Sequence, residues 1–451
     1  MDKSLIENKK YRFKRFLHLN YRRFFKTKKW RQEHITRNGY TLIIFLFISV
    51  LLGLDVTKNS SYHIFSILFS ILIISIIHSK IFNSKFNIIR SLPKYGTVNQ
   101  ELVYNLKIQN LKNREEISIF YKDKVYGAIP TVEEFITIPE PNEEKRNIWD
   151  RKLLYYRWLW LLKKKELISN TQIELPDFLA NETKMIKVSI IPLKRGEIKF
   201  NSAIFGRSDI FNMFNAIKYI YSEDTVLVLP KRYTVKTPNL DSDKLNSSED
   251  NDVLSITGQG NEFFALRDYR NGDNIRNIHW KSWAKRGKPV IKEYQKRSFP
   301  QKALILDIFA KNIDEDIFET SISIASSFIS PLNNTPSSID EVIIDEYKEE
   351  IINNEDNILI YLSKLKLKNS SFKFYNVEEK LKSITGLILI FNKLDKTRIE
   401  FIKTIRNLNI ETYIILVTNI KKHKYRKEIK EYNIKVVNIN NLDTDIKEKL
   451  N

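Results

Sequence analysis

Two long apolar runs near the beginning of the chain dominate its hydrophobic pattern. Residues 38–54 form a run of seventeen uncharged and mostly apolar residues, and residues 59–79 form a second run of twenty-one. A spanning helix needs roughly 17–25 such residues, and neither run shows a polar face. Only a short connection with Asp55 and Lys58 separates the runs. The pattern predicts a transmembrane helical hairpin over residues 39–82, with a pair of buried core helices as the less favoured alternative.

Short alternating runs follow the hairpin and predict a β-rich domain over residues 83–235. Apolar and polar residues alternate in stretches such as ELVYNLKIQN and MIKVSIIPL, which polar turns separate. This spacing is typical of an antiparallel β-sandwich-like domain. An insertion at residues 146–167 is instead aromatic, leucine-rich and basic at its end. Its Trp149, Trp158 and Trp160 slightly favour an interfacial helix on the bilayer, and packing on the sandwich is the alternative.

The last third of the chain alternates apolar strands with helical segments. A polar linker at residues 236–257 and a mixed segment at residues 258–299 precede it. Over residues 300–451, apolar runs such as ALILDIF, GLILIF and ETYIILVT are separated by helical patterns such as DKTRIEFIKTIRNL. Strands that alternate with helices predict a mainly parallel sheet. The expected architecture is therefore a membrane-anchored multidomain chain that ends in an α/β, Rossmann-like domain.

Positive charge is concentrated beside the hairpin. The chain has 451 residues and a net charge of +21. Residues 1–38, a basic arm, hold thirteen Lys or Arg against three acidic residues, and further basic residues follow the second apolar run. By the positive-inside rule, both ends of the hairpin then face the cytoplasm. The arm either lies on anionic lipid or serves only to determine topology, and the sequence leaves both readings open.

Composition argues against several classes of function. The chain has no cysteine, and its six histidines show no metal-binding spacing, so a thiolate or zinc site is not expected. Outside the basic arm and residues 258–297 the net charge is small, so nucleic-acid binding is not expected. Neither a Walker loop nor a dinucleotide fingerprint is present, and no cofactor is expected.

The segment at residues 258–299 carries the candidate chemistry. Four of the eleven glycines lie in it, and charges of opposite sign alternate along it. Arg267, Asp268, Asp273 and Arg276 could bind an anion or a partner carboxylate. At this spacing, however, the favoured interpretation is that these charges pair with one another and fix a turn.

Three aromatic side chains of this segment also have two interpretations. His279 could take part in acid–base chemistry with Asp273, but no nucleophile motif accompanies it, so a structural or interface role is favoured. Trp280 and Trp283 could stack on a base or a peptide, although core packing is the more frequent outcome.

The segment resembles the signature of the domain of unknown function 58 family, which comprises von Willebrand A-like proteins associated with MoxR-type AAA+ ATPases. The matching positions are Gly260, Glu262, Phe263, Arg267, Tyr269, Gly272, Asp273, Arg276, Ile278, His279, Trp280 and Ala284, with Asp268 between them and Lys285 where the family usually has arginine. The order of the chain is similar too, since family members commonly have two membrane helices, a β-domain with an Arg-Gly turn (here Arg195-Gly196), this motif and a von Willebrand A-like end.

The chain also departs from the family pattern at two places. The family often has DPFGLF before the last strand of its middle domain, where this chain reads DIFNMF at residues 209–214. Of the metal-ion-dependent adhesion motif DxSxS only Asp307 remains, and the residues two and four positions further on are Phe309 and Lys311. Neither can bind a hard cation, so the resemblance implies a degenerate domain without a metal.

The resemblance implies a role as a non-enzymatic accessory or adaptor protein. It would dock a MoxR-type ATPase, client proteins or both in complex maturation or envelope stress, from the inner membrane of a bacterium. The signature positions would then bind the partner or brace a domain junction. A nucleic-acid-binding or anionic-lipid-binding membrane protein is the alternative, a membrane hydrolase is less favoured, and self-association stays open.

Overall fold

Two compact units make up the chain, Met1–Pro230 and Lys231–Asn451. The computed structural model describes residues 3–52, 59–125, 127–238, 240, 262–270, 273–295, 301–309, 314–329, 339–344, 347–368, 370, 381, 384–420 and 424–450. The predicted hairpin connection and most of the predicted linker lie outside these residues. The end of the predicted β-domain belongs to the second unit, because Tyr233 N–H donates to Ser327 Oγ (2.7 Å) and Lys236 N–H donates to Leu450 O (2.9 Å).

Three helices begin the first unit, namely α1 (Lys3–His34), α2 (Arg37–Leu52) and α3 (Asn59–Lys80). α2 and α3 contact each other, and most of their large apolar side chains stay exposed. Among the described residues, the stretch Tyr62–Lys80 is long and apolar enough to cross a membrane, and α2 is a shorter apolar helix. The alternative of two buried core helices does not fit, because the described residues leave most of these apolar faces uncovered.

Two β-sheets follow α3 and share one hydrophobic core. Their strands are β1 (Phe86–Ser91), β2 (Tyr95–Thr97), β3 (Leu102–Asn110), β4 (Ile119–Val125), β5 (Ile168–Ser169), β6 (Ile173–Glu174), β7 (Thr183–Pro192), β8 (Gly196–Ser208) and β9 (Asn215–Leu229). The sheet orders are β1-β3-β7-β5 and β2-β9-β8-β4-β6. Buried and exposed residues alternate along β1 and β3, as expected for strands with one face in a core. β2 pairs with β9 in parallel, so the second sheet is not purely antiparallel.

A buried ionic network joins the two sheets. Arg90 of β1 donates from Nε to Asp123 Oδ1 and from Nη1 to Asp224 Oδ2, both at 2.9 Å. The hydroxyls of Tyr104 and Tyr121 donate to the same Asp123 carboxylate. An unpaired charge at this depth would cost several kcal/mol, so the network favours one alignment of the two sheets over others.

A helical insertion between β4 and β5 packs against α1. It contains α4 (Val132–Thr137), α5 (Ile148–Leu153) and α6 (Tyr155–Lys164). Trp158 of α6 is only 2% exposed, and it lies in a cluster with Leu17 of α1 and Phe135 of α4. The indole thus packs on protein, and the preference for a bilayer position of residues 146–167 is wrong for Trp158. Trp149 is 73% exposed and takes no part in this cluster.

The basic arm is a helix that is held at two places. His18 Nε2 lies 2.9 Å from Pro130 O, and the Tyr21 hydroxyl donates to Leu153 O (2.7 Å). Glu33 accepts from the Tyr219 hydroxyl of β9 (2.8 Å). His18 and Glu33 are fifteen residues apart, which is about 22 Å along a helix. One side of α1 therefore contacts its own unit from the insertion to β9, and this side is not available to lipid.

The second unit contains a six-stranded sheet flanked by helices. Its elements are β12 (Gln301–Leu306), α8 (Glu315–Ile329), β13 (Glu341–Ile344), β14 (Tyr347–Glu350), α9 (Ile351–Lys364), β15 (Ile384–Phe391), α10 (Lys396–Asn407), β16 (Glu411–Thr418), α11 (Arg426–Glu431), β17 (Lys435–Asn438) and α12 (Leu442–Lys449). The strand order is β14-β13-β12-β15-β16-β17, and each neighbouring pair is parallel except β13 with β14. The described part of the chain thus has mixed α and β content with several sheets.

The packing of α6 on α1 makes a prediction about stability. Trp158→Ala should lower the free energy of unfolding by about 3–5 kcal/mol, because it opens a cavity in a buried cluster. Trp149→Ala, the matched control on an exposed indole, should change it by less than about 0.5 kcal/mol. Thermal unfolding of the full chain in detergent, followed by circular dichroism, measures both. Equal effects of the two substitutions would contradict the packing of α1 on the insertion.

Candidate functional site

The signature segment forms a short hairpin in the second unit. β10 (Glu262–Asp268) pairs antiparallel with β11 (Val290–Gln295), with a register shift between Phe263 and Ala265. Helix α7 (Trp280–Arg286) lies between the strands, and Ile278 before it bridges to Ile291 of β11. The side chains of Ile278, Val290 and Ile291 are buried. The bridge and these buried side chains therefore hold the start of α7 against β11.

Arg267 and Asp273 form the central ion pair of this hairpin. Two guanidinium nitrogens of Arg267 donate to the two carboxylate oxygens of Asp273, each at 2.7 Å. Arg270 N–H donates to the same carboxylate at 2.8 Å. The predicted self-neutralisation is confirmed for this pair, since the carboxylate is used within the turn. Gly272 lies outside the described residues.

These contacts determine the acidity of Asp273. The hydrogen bonds from Arg267 and then from the Arg270 amide lower the pKa of Asp273 to about 2. A lowered pKa means that the ionised carboxylate stabilises the folded hairpin above about pH 4 and ceases to do so as the pH falls toward 2. At neutral pH the group is ionised, and its lowered pKa makes it a weak base for nearby chemistry.

His279 has a partner that sequence reasoning missed. Its Nδ1 lies 2.6 Å from Ser282 Oγ, three residues further along the chain in the first turn of α7. The backbone of His279 donates to Val290 O (2.8 Å) and accepts from Trp283 N–H (3.0 Å). A serine three residues after a histidine at a helix start is a visible signal for such a contact. The predicted partner Asp273 is already bound to Arg267, so the structure does not bring Asp273 to His279 as a carboxylate partner.

Helix α7 and the turn before it expose aromatic and cationic side chains to solvent. The rings of Trp280 and Trp283 stack, with centroids 5.2 Å apart and planes 18° from parallel. Trp280 is 63% exposed, and Ile275 is similarly exposed. The exposed basic side chains around them are those of Arg276, Lys281, Lys285 and Arg286. The prediction that core packing is the more frequent outcome is wrong for Trp280. We call Ile275, Trp280, Trp283 and these four basic residues the α7 surface.

The remaining signature residues have backbone roles or fall outside the description. Asp268 ends β10 with an exposed side chain, and Tyr269 N–H donates to Pro289 O (3.0 Å). Glu262 and Phe263 pair with Gln295 and Tyr294 through their backbones. The side chains of Glu262 and Phe263, and the whole of Gly260, lie outside the described residues. Ala284 is exposed on α7.

A second buried ion pair lies at the carboxyl end of β12. Asp307 follows this strand and is fully buried. Arg398 of α10 donates from Nε to Asp307 Oδ2 (2.7 Å) and from Nη1 to Asp395 Oδ2 (2.6 Å). Phe309 N–H donates to Asp307 Oδ1 (2.9 Å), and the backbone carbonyl of Phe309 accepts a hydrogen bond from Arg398. Burial raises the pKa of Asp307, and the guanidinium opposes this rise.

The Arg398 contact bears on the degenerate metal motif. A guanidinium beside the first aspartate places a permanent positive charge where such motifs hold a divalent cation. Within the described part of the chain, no three or more His, Asp or Glu side chains are grouped to hold a metal ion. Sequence reasoning could not find Arg398, because it lies 91 residues after Asp307 and matches no motif.

Comparisons with known proteins add little. No protein-family model and no curated protein matches the chain. Among solved structures, a CARDB domain from Pyrococcus furiosus is 13% identical over 32% of this chain and 94% of that domain, with a TM-score of 0.17. A β-glucosidase from Listeria innocua is 14% identical over 32% of this chain and 16% of the glucosidase, with a TM-score of 0.16. An exo-β-N-acetylglucosaminidase from Vibrio harveyi is 11% identical over 69% of this chain and 32% of that enzyme, with a TM-score of 0.14. TM-scores this low carry no information about fold or function.

The Arg267–Asp273 pair makes a prediction about local stability. Asp273→Ala should speed hydrogen exchange of the Arg270 amide roughly fivefold to tenfold, because its acceptor is lost. Asp268→Ala, on a neighbouring exposed aspartate, is the matched control and should leave the exchange unchanged. Hydrogen–deuterium exchange followed by mass spectrometry of the peptide that contains Arg270 measures both variants. Equal exchange in the two variants would show that the carboxylate does not brace the turn.

Proposed function

We propose that this protein is a non-enzymatic, membrane-anchored adaptor that docks a MoxR-type AAA+ ATPase, client proteins or both. The observation that carries the proposal is the exposed α7 surface. Its stacked tryptophans offer a large apolar area on a short helix, and the basic side chains around them surround that area with positive charge. Exposed tryptophans and arginines are the residue types that dominate binding energy at protein interfaces.

Membrane anchoring is supported by the exposed apolar helices. α3 has 22 residues and α2 has 16 described residues, which correspond to about 33 Å and 24 Å of helix, against a hydrocarbon core of about 30 Å. Arg37 begins α2, and Lys80 ends α3. These flanks favour a multi-pass protein of the bacterial inner membrane whose soluble parts face the cytoplasm.

The chemistry of the α7 surface indicates the kind of partner. Its four cations are exposed, whereas the Asp273 carboxylate is bound by Arg267. The net field of the surface is thus positive, and it suits an acidic protein surface with an apolar depression that receives Trp280. Opposite charge would speed association and favour one orientation of the partner.

The two other functions have weaker support. Stacked, cation-flanked indoles also suit single-stranded nucleic acid, whose bases stack on aromatic rings. Direct binding of single-stranded DNA in the absence of the ATPase, with an affinity that falls steeply with salt, would separate nucleic-acid binding from the adaptor role. A hydrolase would need a carboxylate to orient His279, and Asp273 is engaged by Arg267.

The proposal makes a prediction about binding. Trp280→Ala combined with Lys285→Glu should reduce capture of the MoxR-type ATPase by the full-length protein in detergent at least tenfold, since it removes an apolar anchor and inverts a charge. Trp149→Ala combined with Lys152→Glu is the matched control on an exposed indole of the first unit and should bind like the unchanged protein. Arg267→Ala, which removes the ion pair with Asp273, tests whether the structure of the turn contributes indirectly to capture of the ATPase.

Two results would count against the proposal. If the α7 double variant keeps its secondary structure and captures the ATPase as well as the control does, the α7 surface is not the docking site. If the unchanged protein captures no ATPase but binds single-stranded DNA in a salt-dependent way, the nucleic-acid alternative replaces the adaptor role.

A further inference from the structure

The turn at residues 209–214, between β8 and β9, exposes two large apolar side chains. Ile210 is 70% exposed and Phe211 is 40% exposed. Hydrogen bonds within the turn hold its backbone. Asp209 Oδ1 accepts hydrogen bonds from Met213 N–H (2.5 Å) and Phe214 N–H (2.9 Å), and Asn212 has the positive φ of 52° that closes such a turn. The exposure of Ile210 and Phe211 is therefore a property of an ordered turn rather than of a loose loop.

This turn is joined directly to the beginning of α2. Thr36 N–H donates to Met213 O (3.0 Å), and the Thr36 hydroxyl contacts Asn212 O (2.5 Å) and Met213 O (2.9 Å). Gly39 lies so close that a Cβ atom at its position would be 2.2 Å from Met213 O. Only glycine allows this approach without displacement of the turn. The turn and the first residues of α2 thus form one body.

The end of α3 lies beside the same turn. The Arg207 guanidinium, at the end of β8, lies over the ring of Phe82, with 5.5 Å between Cζ and the ring centroid. Phe82 is two residues beyond Lys80, the last residue of α3. Both apolar helices therefore have one end next to the β8–β9 hairpin.

The distances along α2 place the exposed tip near the start of its apolar face. Tyr40 and Ile43 are the first large exposed side chains of α2. Ile43 is four residues after Gly39, which corresponds to about 6 Å of helix. A bilayer that covers α2 from Tyr40 onward would therefore begin within about one helical turn of the 209–214 turn. Arg37 begins α2 and Lys80 ends α3, so each cation flanks an apolar helix at the end where lipid phosphates would be found.

We propose that the 209–214 turn inserts Ile210 and Phe211 into the cytoplasmic interface of the bilayer as a third, non-spanning anchor point. This inference rests on the proposed membrane anchoring by α2 and α3, and it adds a lipid-contacting element in the β-domain. The occupant of this apolar tip is the lipid surface, because the tip adjoins two helices whose apolar faces are left mostly uncovered by the described part of the chain. Three anchor points fix the tilt of the β-domain relative to the bilayer, which two helices in a hairpin do not fix.

The absence of cysteine allows a direct test in the full-length protein. Single cysteines replace Ile210 in the turn, Ile67 in α3 and Tyr221, an exposed residue further along β9. Each is labelled with an environment-sensitive fluorophore, and the protein is reconstituted in vesicles of phosphatidylcholine with about one third phosphatidylglycerol. Lipids that carry a quencher near the headgroup or near the chain end then report the depth of each label.

The proposal expects a different result at each position. The label at residue 210 should be quenched at least about twofold more strongly by the shallow quencher than the label at residue 221, which lies about 20 Å along β9 from its first residue, Asn215. The label at residue 67 should be quenched most strongly by the deep quencher. If residue 67 is quenched but residue 210 behaves like residue 221, this inference is wrong and the anchoring stands. If residue 67 is not quenched, the anchoring itself is wrong, and the inference falls with it.

Discussion

Thr36 and Gly39 hold the start of α2 against the backbone of Met213 in the turn between β8 and β9. The described helices α2 and α3 expose apolar side chains over most of their surfaces, which water would solvate unfavourably. In the proposed membrane-anchored state a bilayer removes this cost, and the contact at Thr36 and Gly39 then couples the position of the bilayer to that of the β-domain. The same junction receives the end of α1, since Glu33 accepts a hydrogen bond from Tyr219. The end of α1 and the start of α2 are therefore both held against the β8–β9 hairpin.

The two aspartates that the sequence offered for acid–base chemistry or metal binding each form an ion pair with an arginine of the same chain. Arg267 with Asp273, and Arg398 with Asp307, are the clearest examples. Each pair uses its carboxylate within the fold, and this leaves neither aspartate available as a base or as a ligand for a hard cation. In the adaptor proposal the partner binds the α7 surface, where Trp280 and four cations are exposed. The adaptor proposal rests on this contrast between carboxylates that are paired within the fold and cations of the α7 surface that are exposed.

The sequence predicts those features of the fold that depend on local pattern. Alternation along β3 indicates a strand with one buried face, and continuous apolar runs such as β15 indicate strands buried on both faces. The pairing of Arg267 with Asp273 is also local, since six residues separate them. Contacts between distant segments could not be predicted in this way. The sequence around Trp158 does not predict whether its indole packs on lipid or on α1, because burial of an indole is favourable in both surroundings.

The central claim is that a membrane anchors this chain with both units on the cytoplasmic side. Single cysteines at Thr57 in the hairpin connection, Trp149 in the first unit and Leu408 in the second allow one measurement in bacterial cells, because the chain has no other thiol. A membrane-impermeant maleimide is added to cells with a permeabilised outer membrane, before and after lysis of the inner membrane. The account predicts that residue 57 is labelled before lysis and that residues 149 and 408 are labelled only afterwards. Labelling of residue 149 or 408 in unlysed cells would contradict it.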